Sequence, residues 1–194
     1  MKHLFATFMI TCALSASGQW LTDSLIAHFP LDGSPNDVIG GLSPTVTSGA
    51  PGYCVDRSSN PNGAVCFDGA SFWSYGDTLD VDTADFSIAY WVRLDSVPPP
   101  FYVSGTYLSD ASILVGKGTT VYGYPERAGY SIMVRNTNGV YSLSALWGGA
   151  VNDLVYDETP ITLNDWFHVV QSRCGTQQTL HLNGQLMFDI TTDA

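Results

Sequence analysis

The sequence predicts an all-β fold, an antiparallel two-sheet sandwich or jelly roll, and three observations favour it. Apolar residues recur with a period of two along several segments, and the 3.6-residue period of an amphipathic helix does not appear. Of the 18 acidic residues only Glu126 and Glu158 are glutamates, although glutamate is a strong helix former. Glycine, proline, asparagine and aspartate separate the apolar segments at short intervals, as they do between strands.

The first 18 residues have the layout of a secretory signal peptide. A basic start precedes the apolar run Leu4–Leu14, and the small residues Ser15–Gly18 follow it, so cleavage is expected near Ser17 to Gln19. A membrane anchor is the alternative, but about 11 apolar residues are too few to span the hydrocarbon core of a bilayer. We therefore expect residues 19–194 to form one secreted or cell-surface domain, without membrane insertion of the mature chain.

Strands are predicted where alternation and flanking turn residues coincide. The clearest is Phe86–Arg93, whose even-numbered residues form one apolar face. Thr179–Leu182 and Gln185–Phe188 flank Asn183–Gly184, the strongest short hairpin signal, because both turn residues tolerate positive φ. The other predicted strands are Leu25–Phe29, Ala64–Phe67, Ile113–Val115, Tyr130–Val134, Tyr141–Trp147 and Phe167–Ser172.

Two longer connections, Asp95–Asp110 and Gly116–Gly129, interrupt this pattern and are predicted to be loops. Trp91 and Trp166 lie inside predicted strands, and we expect both to belong to the core. The histidines His28, His168 and His181 also lie in strand-like segments with apolar neighbours, so a structural role is favoured for each.

Charge and missing motifs exclude several functions. Seven Lys and Arg residues against 18 Asp and Glu residues give a net charge of −11, which repels phosphate backbones and excludes nucleic acid as a partner. Sandwich glycosidases need two carboxyl groups facing each other across a cleft. Glu126 and Glu158 lie in loop-like contexts, and no two aspartates alternate along an apolar strand. We therefore predict that the domain is not an enzyme; a glycan-degrading enzyme that uses aspartates is the alternative.

Three cysteines remain after signal-peptide cleavage removes Cys12. Cys54 and Cys66 flank the polar, turn-rich segment 56–63, which brings the two cysteines opposite each other if it folds back on itself. In an oxidising compartment this arrangement predicts a Cys54–Cys66 disulfide, with Cys174 free or bonded to another chain. Three free thiols are the alternative.

Two aspartate-rich loops offer oxygen ligands for a metal. Asp32 to Asp37 carries three potential oxygen donors within six residues, and Asp77, Asp80, Asp82 and Asp85 form a second cluster. Calcium favours carboxylates and loop carbonyls. Ordinary Asx-turn chemistry explains the same residues without a metal. For the first loop the residues leave both interpretations open, and for the second they favour turn chemistry.

Aromatic side chains in loops are candidate contacts for a ligand. On a sandwich, binding residues concentrate in loops, and tyrosine combines a stacking surface with a hydroxyl. Contributions to loop bases and to the core are the alternative. The predicted ligand-binding residues are Tyr102, Tyr107, Tyr122, Tyr124, Trp73 and Tyr75.

Five motifs, in this order, resemble the laminin-G-like jelly-roll domains of bacterial secreted proteins, which belong to the concanavalin-A-like superfamily. The resemblance covers about residues 24 to 190 and implies two antiparallel sheets, frequently a structural calcium ion, and carbohydrate or protein binding within larger surface proteins. It does not imply one ligand, because lectins, adhesins and glycanases share the fold. The motifs are Leu25–Gly33 with Asn36-Asp37, Asp56–Gly69, Phe86–Val92, Trp166–Val170 and Leu180–Gly184.

The resemblance implies three further expectations, about a metal site, the C-terminal strands and the function. Together with the oxygen-rich loop it implies one calcium ion bound by the Asp37 side chain and by a carbonyl of Asp32 or Gly33. Family members place a C-terminal strand beside the first strand, so a chain that stops at Ala194 is expected to lack its C-terminal strands. The expected function is a secreted, non-catalytic binding module for a carbohydrate or an extracellular protein, within a cell-surface or adhesion protein. A purely structural spacer is the further alternative.

Overall fold

The computed structural model describes residues 24–81, 84–96, 101–103, 106–109, 111–119, 128–137, 140–148 and 154–191. Within these ranges all regular structure is β-strand, as predicted, and no helix long and apolar enough to cross a membrane occurs there. The strands are β1 Val46–Ser48, β2 Gly52–Cys54, β3 Ala64–Cys66, β4 Phe72–Ser74, β5 Phe86–Arg93, β6 Phe101–Val103, β7 Thr106–Ser109, β8 Ala111–Thr119, β9 Ala128–Thr137, β10 Val140–Gly148, β11 Leu154–Pro160, β12 Trp166–Cys174, β13 Gln177–Leu182 and β14 Gln185–Thr191.

Two four-stranded antiparallel sheets form the body of the domain. One has the order β11-β10-β9-β8 and the other the order β14-β13-β12-β5. β1 pairs with β4, β2 with β3 and β6 with β7 in three smaller antiparallel sheets. Buried residues of both large sheets form one hydrophobic cluster, which confirms the predicted sandwich. Its members are Tyr130, Ile132, Val134, Leu143, Ala145, Ile161, Phe167, Val169 and Leu180.

The predicted alternation along β5 is confirmed. Its even-numbered residues, Phe86 to Val92, pack against the core cluster, so its odd-numbered residues face away from the core. β12 pairs with β5 and buries Phe167 and Val169 on the same inner side. The register places Trp91 opposite His168 on the outer side of this sheet.

The predicted hairpin at Asn183–Gly184 is also confirmed. β13 and β14 flank these two residues, whose φ angles are 52° and 79°. The Asn183 amide oxygen accepts a hydrogen bond from the His168 backbone N–H at 2.8 Å, and the Asn183 N–H donates to the His168 carbonyl at 2.8 Å. The turn therefore fixes the backbone of His168 on β12.

The prediction of a strand at Leu25–Phe29 is wrong. This segment is irregular, because its central backbone groups bond to a neighbouring turn and not to a sheet. The His28 N–H donates to the Asp37 carboxylate at 2.7 Å, and the His28 carbonyl accepts from the Val38 N–H at 2.9 Å. Leu31, with φ of 60°, then turns the chain away from an extended path.

Three further expectations need correction. The connection predicted over Asp95–Asp110 contains β6 and β7, and the one predicted from Gly116 is shorter because β8 continues to Thr119 and β9 starts at Ala128. Trp91 is 45% exposed and does not belong to the core, since it lies on the outer side of β5. Trp166, also on the outer side, is only partly buried.

Candidate functional site

The disulfide hairpin comprises β2, β3 and the loop between them, residues 52–66. Cys54 and Cys66 are bonded, with their Cα atoms 5.9 Å apart, which confirms the predicted disulfide. Cys174 is a free, exposed cysteine at the end of β12, in agreement with the expectation that it takes no part in this pairing. The covalent link closes the loop that carries Arg57.

Asp56 gives this loop its shape. Its carboxylate accepts hydrogen bonds from the Ser58 N–H at 2.7 Å, the Asn60 N–H at 2.8 Å and the Asn60 side-chain amide at 2.9 Å. The side-chain bond from Asn60 is the largest cause that lowers the pKa of Asp56, and its backbone bond adds to the effect. A Cβ at Gly63 would lie 2.7 Å from Asp56 Oδ2, so only glycine leaves room for this carboxylate.

Arg57 extends from this loop onto the outer side of the large sheet. Its guanidinium carbon lies 4.4 Å from the centroid of the Trp91 ring, within the range of a cation–π contact. The imidazole ring of His168, on the neighbouring strand, lies 5.0 Å from the Trp91 ring with an interplanar angle of 32°. We call Arg57, Trp91 and His168 the outer-face patch.

A second arginine–tryptophan pair lies beside this patch. Arg93 and Trp166 are opposite each other in the register of β5 and β12, and the guanidinium carbon lies 5.4 Å from the indole centroid. Asp95 accepts two hydrogen bonds from Arg93, at 2.6 and 3.0 Å, and this contact is the largest cause that raises the pKa of Arg93. The positive charge of Arg93 is therefore balanced by Asp95. Arg57 has no such carboxylate partner among the described ion pairs.

The second aspartate cluster binds a lysine. Lys117 Nζ lies 2.9 Å from Asp77 Oδ1 and 2.8 Å from Asp80 Oδ1, and it donates to the Thr78 carbonyl at 2.7 Å. These carboxylates raise the pKa of Lys117, with the hydrogen bond to Asp80 the largest cause. Asp77 and Asp80 thus tie the loop before β5 to β8 through Lys117.

Two of the predicted ligand-binding aromatics take part in internal packing. The Tyr75 hydroxyl donates to the Pro35 carbonyl at 2.6 Å, and its ring meets Phe29 edge to face at 4.8 Å. Burial is the largest cause that raises the pKa of Tyr75. Trp73 packs edge to face on Phe67 at 5.3 Å and lies 6.3 Å from the ring of Tyr53.

The other four predicted aromatics are only partly described. Tyr102 and Tyr107 are directly opposite each other in the register of the β6–β7 pair. Tyr122 and Tyr124 lie outside the described residues. The structure therefore brings Tyr102 and Tyr107 together, and a ligand-binding role for all six residues stays a prediction.

Asp37 stabilises the first aspartate-rich loop from inside. Its side chain is buried, and its carboxylate accepts from the backbone N–H groups of His28 at 2.7 Å, Ile39 at 2.9 Å and Gly40 at 2.6 Å. Burial is the largest single effect and raises the pKa of Asp37, but the bonds from these groups and Leu42 together outweigh it. The net pKa lies below the ordinary value of an aspartate.

The hydrogen bonds of Asp37 bear on the predicted calcium site. Asp37 Oδ1 already accepts two hydrogen bonds and Oδ2 one, while Asp32 and Gly33 are exposed. In the part of the chain that the structure describes, no three His, Cys, Asp or Glu side chains are grouped to hold a metal. Asp37 thus has a role as a turn anchor that requires no ion, and calcium at Asp32, Gly33 and Asp37 stays a prediction.

Asp37→Asn is expected to destabilise the protein at neutral pH, because an amide offers one acceptor oxygen where the carboxylate uses two. The folded pKa of Asp37 lies below the unfolded value, about 3.9. Its stabilisation is therefore fully present above the unfolded value and is lost as the pH falls through the folded pKa. Urea unfolding from pH 7 to pH 3 should show the two proteins converging at the acidic end. Equal stability at pH 7 would contradict the anchor role.

Repeating these measurements with added Ca²⁺ and with a chelator tests the calcium prediction. A bound ion would raise the unfolding midpoint of the unaltered protein and leave that of Asp37→Asn unchanged. No response to either reagent, together with no heat in a calorimetric titration, would show that the loop is stabilised by Asp37 alone.

The outer-face patch was not predicted from the sequence, although the strand pattern contains part of the evidence for it. Alternation along β5 places the even-numbered residues inside, which requires Trp91 to point outward. The same argument on β12, with Phe167 and Val169 buried, turns His168 outward. Arg57 carries no such signal, because its contact with Trp91 joins two segments that are distant in the sequence.

A comparison with protein families identifies the domain. The Laminin_G_3 model, described as the concanavalin A-like lectin/glucanases superfamily, matches residues 67–194, more than half of the chain. This chain belongs to that family. The match confirms the resemblance inferred from the motifs and the jelly-roll class of the fold. A search of curated proteins found no match.

A solved structure with a similar fold is domain 4 of AbnA, a GH43 extracellular arabinanase from Geobacillus stearothermophilus, in complex with arabinotriose. The TM-score is 0.60 with 17% sequence identity, and the alignment covers 87% of this chain and 75% of that chain. At this identity the similarity shows the fold. The neighbour therefore agrees with the concanavalin A-like fold that the family model gives.

Proposed function

We propose that this protein is a secreted, non-catalytic module that binds glycans and forms part of a larger cell-surface or adhesion protein. The observation that carries the proposal is the outer-face patch, where Trp91 is 45% exposed on the outer side of a sheet between Arg57 and His168. The neighbour of similar fold, whose structure was solved in complex with arabinotriose, supports a sugar as the ligand.

The composition of the patch suits a saccharide. A sugar ring presents apolar C–H groups, which pack against an aromatic surface, and hydroxyl groups, which need hydrogen-bond partners. The part of the Trp91 ring that stays exposed offers the apolar surface, while the Arg57 guanidinium and the His168 imidazole, which contact the same ring, offer polar atoms at its border. Trp91 and His168 lie on paired strands and Arg57 lies on a loop closed by a disulfide, and a rigid support limits the ordering cost of binding.

The environment of the aspartates supports a non-catalytic role. Several described aspartate carboxylates are engaged in contacts that shape the fold. Asp85 accepts from the Gly175 N–H at 2.6 Å, Asp68 caps a turn through the Ser71 N–H at 2.7 Å, and Asp189 accepts from the Gln177 amide at 2.9 Å. A glycosidase needs two carboxyl groups that face a common cleft and remain available to the substrate.

A glycan array probed with the secreted protein and with Trp91→Ala tests this proposal. We expect the unaltered protein to bind a subset of glycans and Trp91→Ala to lose about tenfold in affinity, since an aromatic contact of roughly 1.5 kcal/mol corresponds to about a factor of ten. Phe72→Ala is the matched control, because Phe72 is 51% exposed but lies on β4. This control should bind as the unaltered protein does.

Two outcomes would contradict the proposal. Binding to no glycan would favour the spacer alternative. Release of shorter saccharides from a bound glycan, abolished by one aspartate substitution, would favour the enzyme. The signal peptide is tested separately by N-terminal sequencing of the exported protein, which should start near Gln19.

A further inference from the structure

We infer that the outer-face patch recognises a carboxylate, and that the glycan it binds contains uronic acid residues. The inference rests on the proposed glycan-binding function and adds the class of sugar. It is drawn from the geometry of Arg57 and from the distribution of positive charge over the described residues.

Arg57 occupies a position that suits a carboxylate. Its guanidinium carbon lies 4.4 Å from the centroid of the exposed Trp91 ring. The N–H groups of a guanidinium form a planar fork that matches the two oxygens of a carboxylate. The Asp56 loop and the Cys54–Cys66 bond restrict the chain on both sides of Arg57, so little ordering is needed when a ligand binds.

The charge distribution distinguishes Arg57 from the other cations whose side chains the structure describes. Lys117 is paired with two aspartates, Arg93 is paired with Asp95, and Arg173 donates to the Gly175 carbonyl. Arg57 is exposed, and none of the described ion pairs includes it. Asp56, the acid beside it, interacts with Arg57 electrostatically, but its carboxylate oxygens accept hydrogen bonds from Ser58 and Asn60.

A guanidinium that takes part in none of the described ion pairs is notable in a chain with a net charge of −11. Among the described residues, the guanidinium rests on the exposed ring of Trp91. A carboxylate attached to a sugar ring would complete both interactions at once, with the charge on Arg57 and the ring against the edge of the aromatic surface.

His168 borders the same surface and is well placed for the hydroxyl groups of such a sugar. Its ring is 5.0 Å from Trp91, and its backbone is fixed by the two hydrogen bonds with Asn183. An imidazole carries two ring nitrogens that can exchange hydrogen bonds with hydroxyls. The patch therefore combines one site for charge, one apolar surface and one hydroxyl partner.

The test compares uronic acid oligomers with their neutral, carboxyl-reduced counterparts by calorimetric titration. The probes are galacturonic, glucuronic and mannuronic acid oligomers, each with its reduced partner of equal length. We expect at least one acidic oligomer to bind tenfold or more tightly than its reduced form. Arg57→Gln is expected to bind that acidic oligomer roughly 10- to 100-fold more weakly than the unaltered protein, because it loses a charge-assisted hydrogen bond.

Arg173→Gln is the matched control. It removes the same unit of charge at a position five residues beyond His168 on β12, about 17 Å away, and should change affinity less than about twofold. Arg57→Lys keeps the charge but not the planar fork, so its affinity is expected to fall between those of the unaltered protein and Arg57→Gln.

Equal affinity for an acidic oligomer and its reduced form would overturn the inference, and this comparison needs no variant. Equal loss in Arg57→Gln and Arg173→Gln would also overturn it, since it would indicate net charge alone. If neutral glycans bind and their binding depends on Trp91, the proposed function stands and only the uronic acid specificity is wrong. If no uronic acid oligomer binds, the inference is wrong, and the glycan array decides the function separately.

Discussion

Leu180→Ala is expected to lower the free energy of unfolding by about 2–5 kcal/mol. Leu180 lies on β13 with no exposed surface, in the cluster that joins the two large sheets. Truncation of its side chain removes apolar burial and leaves a cavity that the surrounding strands fill only in part. The sheets share this one cluster in the described residues, so the loss should lower the stability of the whole sandwich and not of one hairpin.

Leu186→Ala provides the matched control for this prediction. Leu186 lies on the next strand, β14, and is 49% exposed. The same chemical change there is expected to alter stability by less than about 0.5 kcal/mol. Urea unfolding followed by tryptophan fluorescence measures both variants. Equal effects of the two substitutions would mean that the two sheets do not share a core at β13.

Removal of the Cys54–Cys66 disulfide by the paired change to serine is expected to cost about 3 kcal/mol on the chain-entropy model. The bond joins residues 12 positions apart and closes the loop that positions Arg57. The same variant should also bind glycan more weakly, because the loop would gain freedom that a ligand must then restrict. Two measurements, thermal unfolding and affinity, should therefore change together.

Cys174→Ser is the control for the disulfide, since Cys174 is free and exposed. It is expected to leave both stability and affinity unchanged. Peptide mapping without reduction identifies the bond itself. A link from Cys174 to either partner, or unchanged stability in the paired serine variant, would contradict the arrangement described above.

Local patterns in the sequence predicted much of the fold. Alternation predicted β5 with its bounds and the inner face that it buries, and Asn183–Gly184 predicted the turn between β13 and β14. Both signals depend on neighbouring residues and on backbone geometry, so no knowledge of distant contacts was needed. The Cys54–Cys66 pairing was predictable for the same reason, because a turn-rich segment joins the two residues.

The sequence predictions that were wrong concern residues whose environment depends on segments distant in the chain. The apolar pattern of Leu25–Phe29 predicted a strand, but the Asp37 carboxylate and the backbone of its turn bind the His28 backbone groups instead. Trp91 was assigned to the core because it lies inside a predicted strand, although the alternation along β5 required an outward orientation. In that case the alternation was more informative than the position inside a strand.

Predicting the candidate site required knowledge of such distant contacts to a greater extent than predicting the fold did. Sequence reasoning favoured aromatics in loops, and two of them have internal contacts that no local pattern predicts: Tyr75 forms a partly buried hydrogen bond with Pro35, and Trp73 packs near the rings of Tyr53 and Phe67. The contact between Arg57 and Trp91 arises only when the disulfide hairpin lies against the sheet. No spacing within either segment predicts it.

Two-dimensional NMR of the indole N–H groups during glycan titration tests the central claim most directly, with Trp91→Phe and Trp73→Phe used to assign the two signals. If the outer-face patch binds the glycan, the Trp91 signal shifts in a saturable manner and the Trp73 signal remains in place. A saturable shift of Trp73 with no shift of Trp91 would place binding near β4 and would contradict binding at the outer-face patch.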